Sequence, residues 1–270
     1  MQGNQTAARI TGVCHGTADS PAASRRSGTA MLSLAGLLVL WIVAAALTDD
    51  AQVLPQPWAL LQPFAEALRS GELPYHLGKT LIRVAWAFVL AMGLGILLGL
   101  VMGRFPRADR WLDPWLVVFL NLPALVLIVL CYLWIGLTET AAIVAVTLNK
   151  IPNVATVIRE GARALDPGLD AMGRVYRMPL AARLRHVVLP QLAPFITAAA
   201  RSGVAVIWKI VLVVEFLGRS DGVGFQIHLY FQLFDVTMVL VYALSFIAVM
   251  LAVEWLVLQP WERRARRWRG

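Results

Sequence analysis

The chain has 270 residues, of which 59% are hydrophobic and 15% are charged, and its formal net charge is +8. Soluble globular domains carry about 45–50% apolar and about 25% charged residues, so this composition excludes a disordered chain and argues against an ordinary soluble enzyme. The basic residues flank long apolar runs, which ties the positive charge to membrane topology rather than to nucleic acid. We therefore predict an all-α integral membrane protein.

The chain opens with a polar stretch, residues 1–29, which we predict to be a disordered cytoplasmic leader. A transmembrane domain over 30–260 and a basic cytoplasmic tail over 261–270 follow. A helix needs about 20 apolar residues to cross a bilayer core, and six segments qualify: about 30–47, 80–103, 114–136, 140–158, 192–216 and 236–258. The third contains Pro123, which we expect the helix to tolerate. The first could also be a cleaved secretory signal, although we favour a retained helix.

The distribution of basic residues predicts the orientation of these spans. With the N-terminus in the cytoplasm, seventeen Lys and Arg residues fall inside, and three fall outside: Arg69, Lys79 and Arg219. This bias follows the positive-inside rule and predicts six spans with both termini cytoplasmic. The outer segment 48–79 has apolar residues near helical spacing, so we expect a short amphipathic helix there.

Small residues recur every fourth position along the second span: Ala87, Ala91, Gly95, Gly99 and Gly103. They share one helical face, which lets another helix backbone approach closely. We interpret this face as an internal packing seam, with a dimer seam as the alternative.

Ionisable groups inside the bilayer are costly and mark function by default. Lys150 lies within the fourth span, and Lys209 lies within the fifth. Positive groups facing a cavity would suit an anionic solute, whereas long basic side chains can also snorkel to the interface. The candidate solute path comprises Asn121, Asn149, Lys150, Trp208, Lys209 and Glu215.

The cytoplasmic loop at about 159–190 alternates apolar residues with arginines. Its pattern predicts two short helices broken near Met178-Pro179, and Pro190 suits the first turn of the next span. Such a loop could lie on anionic lipid or dock a cytosolic protein.

This loop resembles the cytoplasmic loop of the inner-membrane permease subunits of binding-protein-dependent ABC importers. The family pattern is Glu-Ala-Ala, three residues, Gly, nine residues, a branched residue, any residue and Leu-Pro. Val187 and Leu189-Pro190 fit it, whereas Arg177 takes the place of the Gly. Residues 171–173 take the place of Glu-Ala-Ala, and Asp170 could substitute for the acid. Further segments, such as LNLPALVLIVLCYLWIG and WKIVLVVEFLG, are similar to permeases for nitrate, sulfonate and taurine.

The resemblance implies a type I ABC importer permease fold in a bacterial inner membrane, with six transmembrane helices and a cytoplasmic coupling helix. It implies a second permease copy, in a homodimer or a pseudo-symmetric heterodimer. It also implies cytosolic ATPase subunits that hold ATP and Mg, and an extracytoplasmic solute-binding protein. No Walker A pattern occurs, so we expect no nucleotide chemistry and no cofactor in this chain. Because Arg177 replaces Gly, a helical residue is feasible there, and we expect the turn nearer Met178-Pro179. The residues expected to contact the ATPase are Asp170, Arg174, Val175, Tyr176, Arg177, Met178, Leu180 and Arg183.

Two other classes compete with a transporter subunit. A membrane enzyme would need paired catalytic groups, but the four histidines are scattered along the chain. A stand-alone secondary transporter or channel would be favoured by an inverted repeat, which we do not find in the sequence.

Overall fold

A computed structural model describes residues 22–48, 50 and 52–258. Helix α1, Ala22–Thr48, belongs to a separate compact unit and is described by itself. This helix includes residues 22–29 of the predicted leader, and the boundary of that leader stays a prediction. Its apolar stretch runs over Leu32–Thr48, close to the predicted first span. Residues 1–21 and the basic tail 261–270 lie outside the described residues.

The second unit is built from helices, and the described residues include no β-strand. A 3₁₀ turn at Pro57–Leu60 leads into α2 at Leu61–Arg69, which confirms the expected short helix in this segment. One-turn π-helices lie before α9 at Leu184–Val188 and after α11 at Glu254–Leu258. The remaining helices are α3 Glu72–Arg104, α4 Pro106–Asn121, α5 Ala124–Ile135, α6 Glu139–Arg163, α7 Pro167–Val175, α8 Leu180–Arg183, α9 Leu189–Gly218, α10 Val223–Gln232 and α11 Val236–Val253.

Local sequence explains where several helices begin and end. The Thr138 hydroxyl accepts from the Ala141 N–H at the start of α6, and the Asp235 carboxylate accepts from the Met238 N–H at the start of α11. Both are N-caps, which satisfy amides that have no partner inside the helix. Gly136 ends α5 with φ of 85°, a left-handed value that a residue with a Cβ adopts poorly.

Four stretches are long and apolar enough to cross a membrane: Glu72–Arg104, Glu139–Arg163, Leu180–Gly218 and Val236–Leu256. The third predicted span is instead broken, because α4 and α5 meet at a bend of 100°. The expectation that Pro123 would lie inside one continuous helix is therefore wrong. Pro123 lacks an N–H, and Leu122 before it adopts extended backbone, as residues preceding proline prefer.

The small-residue face of α3 packs against α6, which confirms the internal seam. A Cβ added at Gly95 would lie 2.6 Å from Val154 Cβ, and one at Gly99 would lie 2.6 Å from the Ala155 carbonyl oxygen. Gly103 meets Ala162 in the same way. Close backbone approach of this kind is how membrane helices gain packing energy. Helix α6 also contacts α5 and α9, so it lies at the centre of this unit.

Candidate functional site

Four polar side chains follow one another along the middle of α6. Thr147 and Lys150 are one turn apart and buried, whereas Asn149 is half-buried and Asn153 is exposed. The Thr147 hydroxyl has no hydrogen-bond partner within the described part of the chain. At 100° per residue, the four positions cover a continuous arc that passes from the buried Thr147 and Lys150 through the exposed Asn153 to the half-buried Asn149.

Lys150 is the most unusual member of this polar arc. Lys150 is 3% exposed, and its side chain passes close to Gly203 of α9. Across residues 22–48, 50 and 52–258 it makes no hydrogen bond and no ion pair. Buried charges in proteins are normally paired, so an unpaired ammonium group here leaves a positive site that lacks its counter-charge.

Lys209 belongs to a different surface. It lies on an exposed stripe of α9 with Ala198, Ser202, Ala205 and Val213, at spacings of three and four residues. A lysine in the interior of an apolar helix is costly against lipid, so this stripe suits contact with water or protein.

Three other residues of the predicted path lie in different surroundings. Trp208 is buried and packs edge-on against Phe246, with ring centroids 5.3 Å apart. Asn121 is exposed at the end of α4, where its amide donates to the Val117 carbonyl at 2.8 Å. Glu215 is fully buried and takes part in an ion-pair network that the sequence did not reveal.

That network centres on Arg83, which is 2% exposed. Its guanidinium donates to both carboxylate oxygens of Glu139 at 2.7 and 2.8 Å, and to Glu215 Oε1 at 2.7 Å. It also donates to the carbonyl and the carboxylate of Asp221. We call this set the Arg83 cluster; its members are Lys79, Thr80, Arg83, Glu139, Glu215, Arg219 and Asp221.

The rest of the cluster completes the pairing of the buried charges. Glu215 Oε2 accepts from the Thr80 hydroxyl and from the Gly224 N–H, each at 2.9 Å. Arg219 pairs with Glu139 at 3.0 Å, and Lys79 lies 3.7 Å from Asp221. Three cations and three carboxylates thus join α3, the start of α6, the end of α9 and the loop before α10.

Asp221 shows the electrostatic effect of this pairing outside the spans. Burial by itself would raise the pKa of Asp221, but hydrogen bonding to Arg83 and the charges of Arg83, Arg219 and Lys79 hold that pKa below its ordinary value. The carboxylate is therefore favoured in its charged form, which the Arg83 guanidinium requires of its partners.

At the other end of the unit, α7 and α8 form the two short helices that the loop sequence predicted. Asp166 caps α7 by accepting from the Gly168 N–H at 2.7 Å, and Pro167 occupies the first turn. The large apolar side chains Val175, Tyr176 and Leu180 are more than 70% exposed. An apolar surface of this kind beside arginines is typical of a protein contact.

The turn between these helices corrects one expectation. Arg177 is not helical but has φ of 50°, in the left-handed region. The Met178 N–H donates to the Gly173 carbonyl and the Arg177 N–H to the Arg174 carbonyl, each at 3.0 Å, which is the Schellman pattern of a helix end. The left-handed residue of the turn is therefore residue 177, the position at which the family pattern has Gly. Arg183 and the Met178 sulfur pack over Gly173, which leaves little room for a side chain there.

A second set of charged residues joins the end of α6 to α4, the first helix of the bent α4–α5 pair. Arg163 near the end of α6 pairs with Asp109 of α4 at 2.5 Å, and Arg159 pairs with Asp113. These pairs hold the end of α6 against the first turns of α4. Asp170 lies within α7.

Comparison with known proteins places these features in a family. Residues 91–259 match the family described as binding-protein-dependent transport system inner membrane component. The chain is 32% identical over 198 residues to the Bacillus subtilis protein named "Putative aliphatic sulfonates transport permease protein SsuC", covering 73% of this chain and 72% of that protein. It is 26% identical to the Escherichia coli taurine transport system permease protein TauC, with 92% of each chain covered.

A solved structure shares the fold. A chain from the crystal structure of an amino acid ABC transporter with histidines matches with a TM-score of 0.56 and 23% identity, covering 74% of this chain and 97% of that one. The predicted all-α fold of a type I importer permease is therefore confirmed.

Proposed function

Because the chain belongs to the family of inner membrane components of binding-protein-dependent transport systems, we propose that it is the membrane-spanning subunit of an ATP-driven importer for a small anion. The role in transport follows from the family to which the chain belongs. The sign of the solute's charge rests on one observation, the buried Lys150 without a counter-charge. In this proposal a binding protein delivers the solute, two copies of this chain enclose the path, and separate ATPase subunits bind the α7–α8 loop.

The position of Lys150 excludes snorkelling to the membrane interface, the common arrangement for a lysine within a transmembrane span. It lies near the middle of the 25-residue α6, so about 16–20 Å of helix separates it from either end. A lysine side chain does not reach that far, which rules out snorkelling to the interface. A charge at the helix centre costs about 2.5–3.5 kcal/mol on insertion scales, so a lysine retained there suits an anion that passes close to it.

The neighbouring groups fit an anion as well. Asn149 and Asn153 supply amide donors, the Thr147 hydroxyl can donate, and no carboxylate among the described residues pairs with Lys150. Two copies of the chain would also bring two Lys209 groups. We leave Trp208 and Glu215 out of the proposed path, because Trp208 is packed in the core and Glu215 is held by the Arg83 cluster.

The relatives narrow the kind of anion. Two of them are named for aliphatic sulfonates and for taurine, which is itself a sulfonate. We therefore propose a sulfonate or a similar small oxyanion, such as nitrate, as the solute.

The proposed path predicts that Lys150→Met strongly reduces solute uptake and also stabilises the protein. Methionine has similar length but removes the unpaired buried charge, so uptake should fall at least about tenfold while the unfolding midpoint rises. The measurement is ATP-dependent uptake of radiolabelled ethanesulfonate and taurine into proteoliposomes that contain the chain and its ATPase. Thermal unfolding of the same preparation supplies the second reading.

Lys79→Met is the matched control, since it removes a partly exposed lysine that lies outside the proposed path. We expect near-normal uptake from it. A Lys150→Met protein that transports normally, or one that unfolds at a lower temperature, would contradict the proposal, because the second result indicates a structural role for the lysine. Uptake that proceeds without ATP would favour the stand-alone transporter or channel.

The proposed ATPase contact predicts that Tyr176→Ala combined with Leu180→Ala releases the ATPase. These side chains are 76% and 72% exposed, so truncating them removes apolar contact area and little internal packing. Copurification with the ATPase should fall, and uptake with it, while the unfolding midpoint of the chain stays within a few degrees. Leu233→Ala, which truncates a residue after α10 that is 64% exposed, is the control. Normal copurification of the double variant with the ATPase would show that this loop is not the coupling element.

A further inference from the structure

Helix α4 carries its basic and its acidic residues on opposite sides. At 100° per residue, Arg107, Trp111, Trp115 and Val118 lie within an arc of about 80°, and Arg110 lies beside them. All five residues are exposed, Trp111 to 81% and Trp115 to 65%. We call these five residues the exposed face of α4. Its basic members lie in the first turns of the helix, and its apolar members follow them.

The opposite side of α4 packs against α6. Asp109 and Asp113 pair there with Arg163 and Arg159, and Leu116 is 5% exposed. The carboxylates of α4 are thus turned away from its exposed face, and the arginines of α6 neutralise them. The charge that remains on the exposed face is positive.

Arg107 and Arg110 have no acidic partner of their own. Neither side chain makes a hydrogen bond or an ion pair with any other residue among 22–48, 50 and 52–258. They lie three residues apart on one helix, which places their Cβ atoms about 5–6 Å from each other. The two guanidinium groups can therefore donate to one phosphate group, whose geometry suits arginine.

Trp111 and Trp115 indicate the surroundings of these arginines. Tryptophan is enriched at the membrane–water interface, where its ring lies at the level of the lipid headgroups. Along the exposed face, two cations come first, two indoles follow, and Val118 comes last. A phospholipid has the same order, with a charged headgroup followed by acyl chains.

The ion pairs with α6 set the depth of this face in the membrane. Helix α6 is long and apolar enough to cross a bilayer, and it ends at Arg163. Because Asp109 pairs with Arg163, the first turns of α4 lie level with that end. Asp113 pairs with Arg159 one turn further along each helix, so α4 runs from the membrane surface back into the bilayer beside α6.

This depth matches the layers of a bilayer. The polar layer on each side of the hydrocarbon core is about 5–8 Å thick. Along the helix axis, Trp111 lies about 6 Å and Val118 about 16 Å from Arg107. The two arginines therefore lie at the headgroups, Trp111 and Trp115 near the boundary with the core, and Val118 among the acyl chains.

We propose that the exposed face of α4 is a binding site for an anionic phospholipid, such as phosphatidylglycerol. Arg107 and Arg110 hold the phosphate, and Trp111 and Trp115 pack against the glycerol and the upper part of the acyl chains. This site is separate from the proposed solute path and does not depend on the nature of the solute.

The test measures quenching of tryptophan fluorescence by lipids with brominated acyl chains, in nanodiscs that contain the full-length chain. Phosphatidylglycerol and phosphatidylcholine are mixed, and one of them at a time is brominated. Trp111→Phe combined with Trp115→Phe gives the background from the other tryptophans. Each arginine near an anionic headgroup contributes about fivefold, so we expect these two indoles to prefer phosphatidylglycerol by at least about fivefold.

Arg107→Gln combined with Arg110→Gln should bring this preference close to one, while both lipids still quench Trp111 and Trp115. The same pair changed to lysine keeps the charge and should keep most of the preference. Arg69→Gln, at an exposed arginine of α2, is the control and should leave it unchanged.

Four results would overturn the proposal. Quenching that is the same with and without the two indoles would show that protein covers this face. Equal quenching by the two lipids in the unmodified chain would show ordinary lipid contact without selection for charge. An undiminished preference in the double glutamine variant would place the anionic lipid elsewhere. Loss of the preference on addition of millimolar glycerol phosphate would assign the arginines to a soluble anion.

Discussion

Replacing Arg83 with methionine should destabilise the protein by about 3–5 kcal/mol, which is the usual cost of removing one partner from a buried ion pair. Glu215 would remain fully buried with its charge opposed only by the Thr80 hydroxyl and the Gly224 N–H. Glu139 and Asp221 would also lose their central partner. The expected result is a large drop in the thermal unfolding midpoint in detergent, or loss of folded protein.

Lys79→Met on the same helix is the matched control for this experiment. Its ammonium group lies 3.7 Å from Asp221 and is partly exposed, so its loss should cost no more than about 1 kcal/mol. Adding Glu215→Gln to Arg83→Met should restore part of the stability, because it removes the buried charge that was left unpaired. A double variant as unstable as Arg83→Met alone would show that the charge of Glu215 is not the cause.

Replacing Gly99 with alanine should destabilise the α3–α6 seam by about 1–3 kcal/mol, the usual range for overpacking. The new methyl group would meet the Ala155 carbonyl oxygen and Ile158 Cβ at less than 3 Å, and the helix backbone must shift to admit it. The same change at Gly93 meets nothing within 4 Å. Because alanine is the better helix former, Gly93→Ala should be neutral or stabilising by up to about 1 kcal/mol.

The two glycine variants are therefore expected to shift the unfolding midpoint in opposite directions, although they add the same methyl group to the same helix. Thermal unfolding of the purified chain measures both. Equal effects from the two variants would mean that the seam is not a site of close packing.

The seam was predictable because its signal is local. Small residues four positions apart must share a helical face. The spacing of Gly95, Gly99 and Gly103 therefore predicts that another helix packs closely there, without showing which helix it is. Lys150 could be identified as unusual for a related reason, since a charge within an apolar run is unusual wherever the helix lies, whereas its role in a solute path stays a prediction. In both cases one stretch of about 15 residues carries the information.

The Arg83 cluster was not predictable, because its partners are distant in sequence. Glu139, Glu215 and Asp221 lie 56, 132 and 138 residues from Arg83. Nothing near Arg83 indicates which carboxylates it meets, and the sequence alone assigned Glu215 to the solute path. Arg177 shows a different limit: the surrounding hairpin imposes a left-handed backbone at a residue whose type does not favour it.

The bend between α4 and α5 has a consequence for how this part of the chain crosses the bilayer. The two helices contain 16 and 12 residues, so as one straight helix they would measure about 42 Å, well beyond a core of about 30 Å. Bent by 100°, the same residues join end points only about 27 Å apart. The bend thus keeps the two ends of the pair, whose first turns carry Arg107, Asp109, Arg110 and Asp113, within the thickness of one bilayer core. The non-helical backbone at Leu122 and the exposed Asn121 cannot face hydrocarbon. The bend between α4 and α5 must therefore lie against protein or against water.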